Sequence, residues 1–165
     1  MASAAATTDG AVPETESGMP PWPQLIGFLL MAFGMFMAVL DIQIVSASLT
    51  QIQAGLSASA DEISWVQTSY LVSEVVMIPL SGFLARALST KWLFVLSSAG
   101  FTIASVLCAT ATSINEMIVY RSIQGFVGGA MIPTMYAGMF LMFGRRAQTG
   151  VSVAVSLIVT LAPTI

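Results

Sequence analysis

Histidine is absent from this sequence, cysteine occurs once, and charged side chains are scarce. Without histidine the chain cannot build a histidine metal site, a Ser-His-Asp triad or a Ser-His dyad. The lone Cys108 has no second cysteine with which to form a disulfide or a thiolate metal site within the chain. Five lysines and arginines, against eight aspartates and glutamates, leave no basic surface that would bind nucleic acid.

Apolar residues dominate what is present. Charged residues make up 8% of the chain, whereas a typical soluble domain has about 25%. Hydrophobic residues make up 56%, and the mean hydropathy is +0.89. So few polar groups cannot cover a surface that faces water, and lipid must therefore surround most of the chain. Residues 1–22 are the exception, and their Ala, Ser, Thr, Glu and Pro predict a disordered cytoplasmic tail with an acidic start, unlike a cleaved signal peptide.

Five apolar segments follow this tail. They cover about residues 25–48, 63–85, 92–111, 114–140 and 149–165, and the last is still apolar at its final residue. Each complete segment has the ~20 residues that a helix needs to cross about 30 Å of hydrocarbon. Lipid offers the backbone no hydrogen-bond partner, so each segment must be an α-helix. We therefore predict an all-α integral membrane fold over residues 23–165, with four complete transmembrane spans and part of a fifth.

Local signals mark helix starts and orient the chain. Ser59 with Glu62, and Ser113 with Glu116, are spaced as capping boxes before the second and fourth spans. The basic residues outside the spans all fall in two alternate connections: Arg86, Lys91, Arg145 and Arg146. Because basic connections stay on the cytoplasmic side, we expect these two connections and the N-terminus to be cytoplasmic.

Three charged residues remain inside apolar spans: Asp41, Glu74 and Arg121. A charge near the centre of a bilayer costs at least about 2.5–3.5 kcal/mol, so each must face protein or a water-filled path. Asp41 and Arg121 fall at similar depths, which makes an ion pair sterically plausible. One arginine facing two carboxylates leaves a carboxylate in excess, and that group can bind and release protons. The alternative is that the pair only fixes helix packing.

Each of these charges lies on a stripe of polar and small residues. Gln67, Glu74 and Ser81 share one face of the second span. In the fourth span the stripe holds Arg121, Gln124, Gly125, Gly128 and Gly129. Such stripes turn toward neighbouring helices rather than toward lipid. The spacing Gly125-x-x-x-Gly129 allows another backbone to approach closely, a feature more often of packing than of function.

Prolines and methionines are also frequent within the spans. Pro79 and Pro133 each remove a backbone donor and bend a helix, which suits a moving carrier but is also common in static membrane helices. The many methionines are expected to face lipid or fill the core, although they could line an adaptable pocket. Examples are Met131, Met135, Met139 and Met142.

Four motifs follow one another along the chain. They are Leu40–Val45, Ser64–Tyr70, Gly82–Lys91 and Arg121–Gly125. In this order they resemble motifs of the EmrB/QacA-like branch of the major facilitator superfamily, the fourteen-span drug:proton antiporters. The R-x-x-Q-G of Arg121–Gly125 is the closest match. The loop from Gly82 to Lys91 departs from the pattern, because Arg86 stands where aspartate is usual and Ser89 where glycine is usual.

The resemblance implies an N-terminal part of a major facilitator transporter in the inner (plasma) membrane. The expected function is proton-coupled efflux of drugs or other small amphipathic molecules, without enzymatic activity or a cofactor. In this family the arginine at the position of Arg121 is linked to proton transfer. In a host with two membranes, a periplasmic membrane-fusion adaptor and an outer-membrane channel are the expected partners.

Other functions remain open on the same residues. The cargo could be a siderophore, a lipid or a metabolite, or the chain could be a non-transporting assembly or regulatory protein. An intramembrane aspartyl protease would need two intramembrane aspartates, and only Asp41 qualifies. Facilitators enclose a midplane site between two six-helix halves, which four and a half spans cannot do. We therefore expect a fragment that inserts into the membrane but does not transport on its own.

Overall fold

The computed structural model describes residues 21–143 and 145–161, and within them the ordered elements are all helices. In chain order these are α1 (Trp22–Gly55), α2 (Ala60–Leu88), α3 (Thr90–Ala109), α4 (Ile114–Gly128), α5 (Met131–Met142) and α6 (Arg145–Leu161). Four units in this part of the chain are long and apolar enough to cross a membrane: α1, α2, α3 and the continuous stretch Ile114–Met142. The all-α membrane fold is confirmed. The predicted disordered tail lies almost wholly outside the described residues.

The first helix is longer than the predicted span. Hydropathy predicts residues 25–48, whereas α1 begins at Trp22 and ends at Gly55. Pro23 is in the first turn, where its missing N–H leaves no ladder bond unmade. At the other end the helix continues past the apolar run through Gln51 and Gln53, because backbone hydrogen bonds propagate into water as well as lipid. Hydropathy reports the part of a helix that lies in lipid, not the whole helix.

The fourth span is one membrane-crossing stretch, Ile114–Met142, but its hydrogen-bond ladder is interrupted between α4 and α5. The prediction is a single helix over 114–140, and Gly129 and Ala130, which join α4 to α5, both keep right-handed helical dihedral angles. Pro133 has no N–H, so the Gly129 carbonyl cannot accept the ladder bond from four residues ahead. Bonds on either side of the gap are intact: Gly129 N–H to the Gly125 carbonyl (2.9 Å) and Thr134 N–H to the Ala130 carbonyl (3.2 Å). Pro79, in contrast, lies inside a continuous α2.

One of the two predicted capping boxes is complete. The Ser59 N–H donates to Glu62 Oε2 (2.9 Å), and the Glu62 N–H donates to Ser59 Oγ (3.2 Å). At the second site the Glu116 N–H donates to Ser113 Oγ (3.3 Å). The Glu116 carboxylate accepts instead from the N–H of Thr112 (2.9 Å), one residue before the expected donor. Both helix starts are nevertheless where the spacing predicts them.

Two helix contacts position the remainder of the molecule. We call the first the α2–α4 seam, where Gly125 and Gly129 lie against the α2 backbone. A Cβ added at Gly125 would overlap the Tyr70 carbonyl, and one added at Gly129 would lie 2.8 Å from the Glu74 carbonyl oxygen. These distances leave no room for a side chain, so α2 and α4 pack in the close glycine-mediated manner of membrane helices.

The second contact, the α1–α5 seam, is built from glycine and methionine. A Cβ added at Gly34 would lie 3.0 Å from the Met131 methyl, and one added at Gly138 would lie 3.0 Å from the Met31 methyl. Each glycine therefore receives a methionine from the opposite helix, and at Gly34 the Phe94 ring of α3 lies closer still, 2.7 Å from the added Cβ. Around these contacts lies the main apolar core, which also contains Met35, Phe94, Phe101, Met135 and Met139. The methionines of α5 thus fill the core.

The outer surface of the bundle is apolar. Large hydrophobic side chains that are more than half exposed occur on α1, α2 and α3, and they include Leu29, Leu30, Phe33, Val72, Val75, Val76, Phe83, Leu96, Ile103 and Val106. A patch of this extent would be unstable in water, and it is the normal surface of a helix that faces lipid.

Candidate functional site

Two of the three intramembrane charges form an ion pair. Arg121 Nη1 on α4 lies 2.5 Å from Asp41 Oδ2 on α1. Arg121 is 1% exposed and Asp41 is 22% exposed, so the arginine is fully buried and the carboxylate opens toward one side. Mutual neutralisation lowers the cost of holding both groups inside an apolar bundle. The residues lie 80 positions apart in the chain, so the pair also ties α1 to α4.

Gln124 connects both members of this pair. Its Oε1 accepts from Arg121 Nη1 (2.6 Å), and its Nε2 donates to Asp41 Oδ1 (3.3 Å). The same Nε2 donates to Ser105 Oγ on α3 (2.7 Å), and the Cys108 thiol donates to Gln124 Oε1 (3.5 Å). One turn of α4 thus presents Arg121 and Gln124 together, and the resulting network joins three helices.

Tyr70 covers one face of the arginine. The centre of the Arg121 guanidinium lies 4.5 Å from the centroid of the Tyr70 ring, which is fully buried. A cation over an aromatic face is attracted to its negative quadrupole, and the attraction is strongest where water is excluded. The α2–α4 seam makes this contact possible, because Gly125 lets the Tyr70 backbone come directly against α4.

Glu74 is not part of this network. It is on α2, one turn beyond Tyr70, and it is 9% exposed. Within the described residues its carboxylate makes no hydrogen bond or salt bridge. The structure therefore brings Asp41, Arg121 and Gln124 together and leaves Glu74 as a separate buried acid on an adjoining helix.

The loop residues of the third motif lie where α2 ends and α3 begins. Arg86 and Lys91 are both exposed, and neither forms a salt bridge with any described residue. A Cβ added at Gly82 would meet no described atom within 4 Å, so no contact in this part of the chain requires glycine there. The structure does not connect Gly82, Arg86 or Lys91 to the buried network.

Ser89, in the same loop, has an unusual backbone. Its φ is 68° and its ψ is 147°, a region that is almost restricted to glycine. The resembling loop has glycine at this position. Ser89 caps α3, and its carbonyl accepts from the Leu93 N–H (3.0 Å). The backbone at Ser89 therefore has the conformation that a glycine would adopt, and the serine holds it under strain.

Sequence reasoning missed three members of the network. Ser105 and Cys108 are three residues apart on one face of α3, but small polar residues are too common in membrane helices to single them out. Tyr70 had a better signal, because it lies on the same α2 face as Gln67 and Glu74. Among the residues that the structure describes, no three His, Cys, Asp or Glu side chains are grouped so that they could hold a metal ion.

Comparison with known proteins adds an independent line of information. Residues 31–165 match the family profile of the Major Facilitator Superfamily. The chain is 46% identical over 138 residues to the colistin resistance protein EmrB of Acinetobacter baumannii, covering 84% of this chain and 27% of that protein. It is 39% identical over 105 residues to the fatty acid resistance protein FarB of Neisseria gonorrhoeae, covering 64% of this chain and 21% of that protein.

A third relative is the putative multidrug resistance protein MdtD of Yersinia enterocolitica. It is 40% identical over 104 residues, which cover 63% of this chain and 22% of that protein. The chain thus spans about a quarter of the length of the curated relatives that it matches. The name of each of these three relatives refers to resistance.

Proposed function

The chain belongs to the Major Facilitator Superfamily, and from its buried charges we propose that it serves proton-coupled efflux of drugs or other small amphipathic molecules. Membership makes it a multi-pass membrane protein of a transporter family. The direction of transport, the coupling ion and the cargo are the parts that we propose. The Asp41–Arg121 pair is the observation that carries the proposal.

The pair supplies a way for a proton to change helix contacts. When Asp41 is ionised, it neutralises Arg121 and holds α1 against α4. A proton on Asp41 removes this attraction and leaves a buried guanidinium without its counter-charge, which is costly in an apolar environment. The cost falls if α1 moves or if Arg121 gains another partner. Proton binding at Asp41 is therefore coupled to a rearrangement between α1 and α4.

Access to this carboxylate is consistent with such a role. Asp41 is 22% exposed while Arg121 is buried, so the described helices leave part of the carboxylate uncovered. We propose that protons reach the acid from this uncovered side. Gln124 keeps hydrogen bonds to Arg121 and Ser105 in either state, and it can hold the arginine on α4 while Asp41 changes charge. We assign Asp41 the proton-binding role, Arg121 the counter-charge, and Gln124 the support for both.

Glu74 is proposed as the second acidic group. Its burial without a hydrogen-bond partner among the described residues leaves one carboxylate more than the arginine can neutralise. Such an acid can hold a second proton or contact cargo that passes along α2. The relatives do not decide between these uses, because their names refer to colistin, to fatty acids and to multiple drugs.

The proposal also covers the cargo and the partner proteins. The name of FarB favours a fatty acid or another lipid-like amphiphile as the alternative cargo on the same fold. A periplasmic adaptor and an outer-membrane channel are the proposed partners in a host with two membranes. The exposed Arg86 and Lys91 support an inner-membrane orientation with their loop and the N-terminus in the cytoplasm.

The decisive test is Asp41→Asn in the complete gene product that contains this chain. Asparagine preserves the shape of the side chain and cannot gain or lose a proton, so efflux driven by a pH gradient in everted vesicles should fall at least about tenfold. Membrane insertion should be unchanged. Asp61→Asn, which alters an exposed acid in the first turn of α2, is the matched control. Equal efflux by the Asp41→Asn variant and the control would remove Asp41 from the coupling role.

A further inference from the structure

Arg121 uses only one edge of its guanidinium in the network already described. Nη1 donates to both Asp41 and Gln124. Nε and Nη2 are buried and have no acceptor among the described residues. A guanidinium presents five N–H donors in a rigid fork, so its two remaining edges point at fixed positions in the bundle. Buried donors of this kind are nearly always satisfied, which means that a partner must lie beside them.

Gln67 has the complementary property. Its Oε1 is a buried acceptor that receives no hydrogen bond from the described residues. Gln67 is on α2, three residues before Tyr70, and the ring of Tyr70 lies against the Arg121 guanidinium. The unsatisfied acceptor and the unsatisfied donors are therefore on the two sides of the α2–α4 seam.

The register of this seam puts them at the same level. α2 and α4 run parallel, because the Tyr70 carbonyl lies against Gly125 and the Glu74 carbonyl, one turn later, lies against Gly129. Four residues earlier, the same register places Val66 at the level of Arg121, with Gln67 next to it along α2. Gln67 is on the face that carries Tyr70, and this face is turned toward the arginine.

We infer that Gln67 is a positioning residue for Arg121 and acts through a buried water molecule. The water accepts an N–H from the free edge of the guanidinium and donates an O–H to Gln67 Oε1. Water is the small molecule that matches this pair of groups, since it can both accept from a cation and donate to an amide oxygen. Its role in coupling rests on the proposed function, whereas the hydration site itself does not.

The bridge gives Arg121 a second anchor, on α2. Asp41 holds one edge of the guanidinium from α1, while the water and Gln67 hold the other from α2. When a proton neutralises Asp41, the arginine stays against Tyr70 and does not follow α1 as that helix moves. Gln67 thus determines which helix releases Arg121 when the ion pair opens.

The test is a spectroscopic one on the complete gene product in lipid bilayers, labelled with [15N]arginine. Solid-state NMR measures the transfer of polarisation from water to the Arg121 Nε, and the resonance is assigned by its loss in Arg121→Lys. We expect clear transfer in the unsubstituted protein and at least about a twofold reduction in Gln67→Met, which keeps the length of the side chain but removes the acceptor. Gln67→Glu retains an oxygen acceptor and should restore the transfer.

Thr68→Ala provides the matched control. Thr68 is the next residue along α2 and is exposed, and among the described residues its hydroxyl donates only to the Ser64 carbonyl (2.9 Å). This variant should leave the Arg121 signal unchanged. Absence of water transfer in the unsubstituted protein, or the same transfer in Gln67→Met as in Thr68→Ala, would overturn the inference.

The result separates this inference from the proposed function. Unchanged efflux by Asp41→Asn together with a signal that depends on Gln67 would disprove proton coupling through Asp41 and retain the hydration site. Loss of efflux in Asp41→Asn with no dependence of the Arg121 signal on Gln67 would do the reverse.

Discussion

Both the α2–α4 seam and the α1–α5 seam contain glycine, but the atoms packed against the glycines differ. In the α2–α4 seam, Gly125 and Gly129 meet backbone atoms of Tyr70 and Glu74. In the α1–α5 seam, Gly138 meets the end of the Met31 side chain, and Gly34 meets the Met131 methyl together with the edge of the Phe94 ring. A backbone in a helix cannot move aside without breaking its ladder, whereas an unbranched thioether can rotate about three bonds. The first seam is therefore rigid and the second is adaptable.

The comparison shows why the polar network lies where it does. Arg121 requires Tyr70, Gln124 and Asp41 at fixed distances, and the rigid seam supplies the first of these contacts. Asp41 comes from α1, whose main apolar contact with the rest of the bundle is the adaptable seam. The arginine is thus on a firm support, and the carboxylate that pairs with it is on a helix that can shift.

The largest effect expected from this comparison is that of Gly125→Ala. The new methyl group would overlap the Tyr70 carbonyl, so α2 and α4 must separate. We expect the free energy of unfolding to fall by about 3 kcal/mol, as for severe overpacking. Unfolding by SDS in mixed micelles measures it. Gly27→Ala, where a Cβ would meet nothing within 4 Å, is the control and should gain up to about 1 kcal/mol from helix propensity.

A smaller effect is expected from Met135→Leu in the adaptable core. Met135 is fully buried, and leucine has a similar volume but a branched shape. Neighbouring methionines can adjust to the branch, so the free energy of unfolding should fall by less than about 1.5 kcal/mol. The same SDS titration measures it. A loss equal to that of Gly125→Ala would show that this core is as rigid as the α2–α4 seam.

The smallest effect is expected from Gly138→Ala. The added methyl group would lie 3.0 Å from the Met31 methyl and 3.3 Å from its sulfur, which are the mobile end of that side chain. A change of rotamer at Met31 relieves the contact, and the gain in helix propensity offsets part of its cost. The net change in unfolding free energy should be within about 0.5 kcal/mol. The comparison between the seams fails if Gly138→Ala and Gly125→Ala destabilise the protein equally.

Depth along a span could be predicted from the sequence, whereas lateral contacts could not. The positions of Asp41 and Arg121 within their apolar runs place them at one level, and the structure pairs them. The helical periodicity of α4 also places Gln124 on the same face as Arg121. Nothing in the sequence, however, specifies which helix lies beside α4. The contact of Tyr70 with Arg121 depends on that neighbour, and so the sequence alone does not predict it.

Helix ends show the same division between what the chain encodes locally and what it does not. The capping box at Ser59 is a local pattern, and the structure contains it. The break in the fourth span is less visible, because hydropathy averages over Gly129 and Ala130 and treats an apolar run as continuous. Pro133 marks a bend, but Pro79 would mark one equally, and α2 passes through Pro79 without a break.

The interruption of the hydrogen-bond ladder at Gly129 separates two helices that are held in different ways. On its N-terminal side, α4 packs closely against α2 through glycine. On its C-terminal side, α5 packs against α1 through methionine. Because Pro133 withholds one ladder bond at this point, the two halves can change angle by rotating a few dihedrals, without rupturing a hydrogen bond.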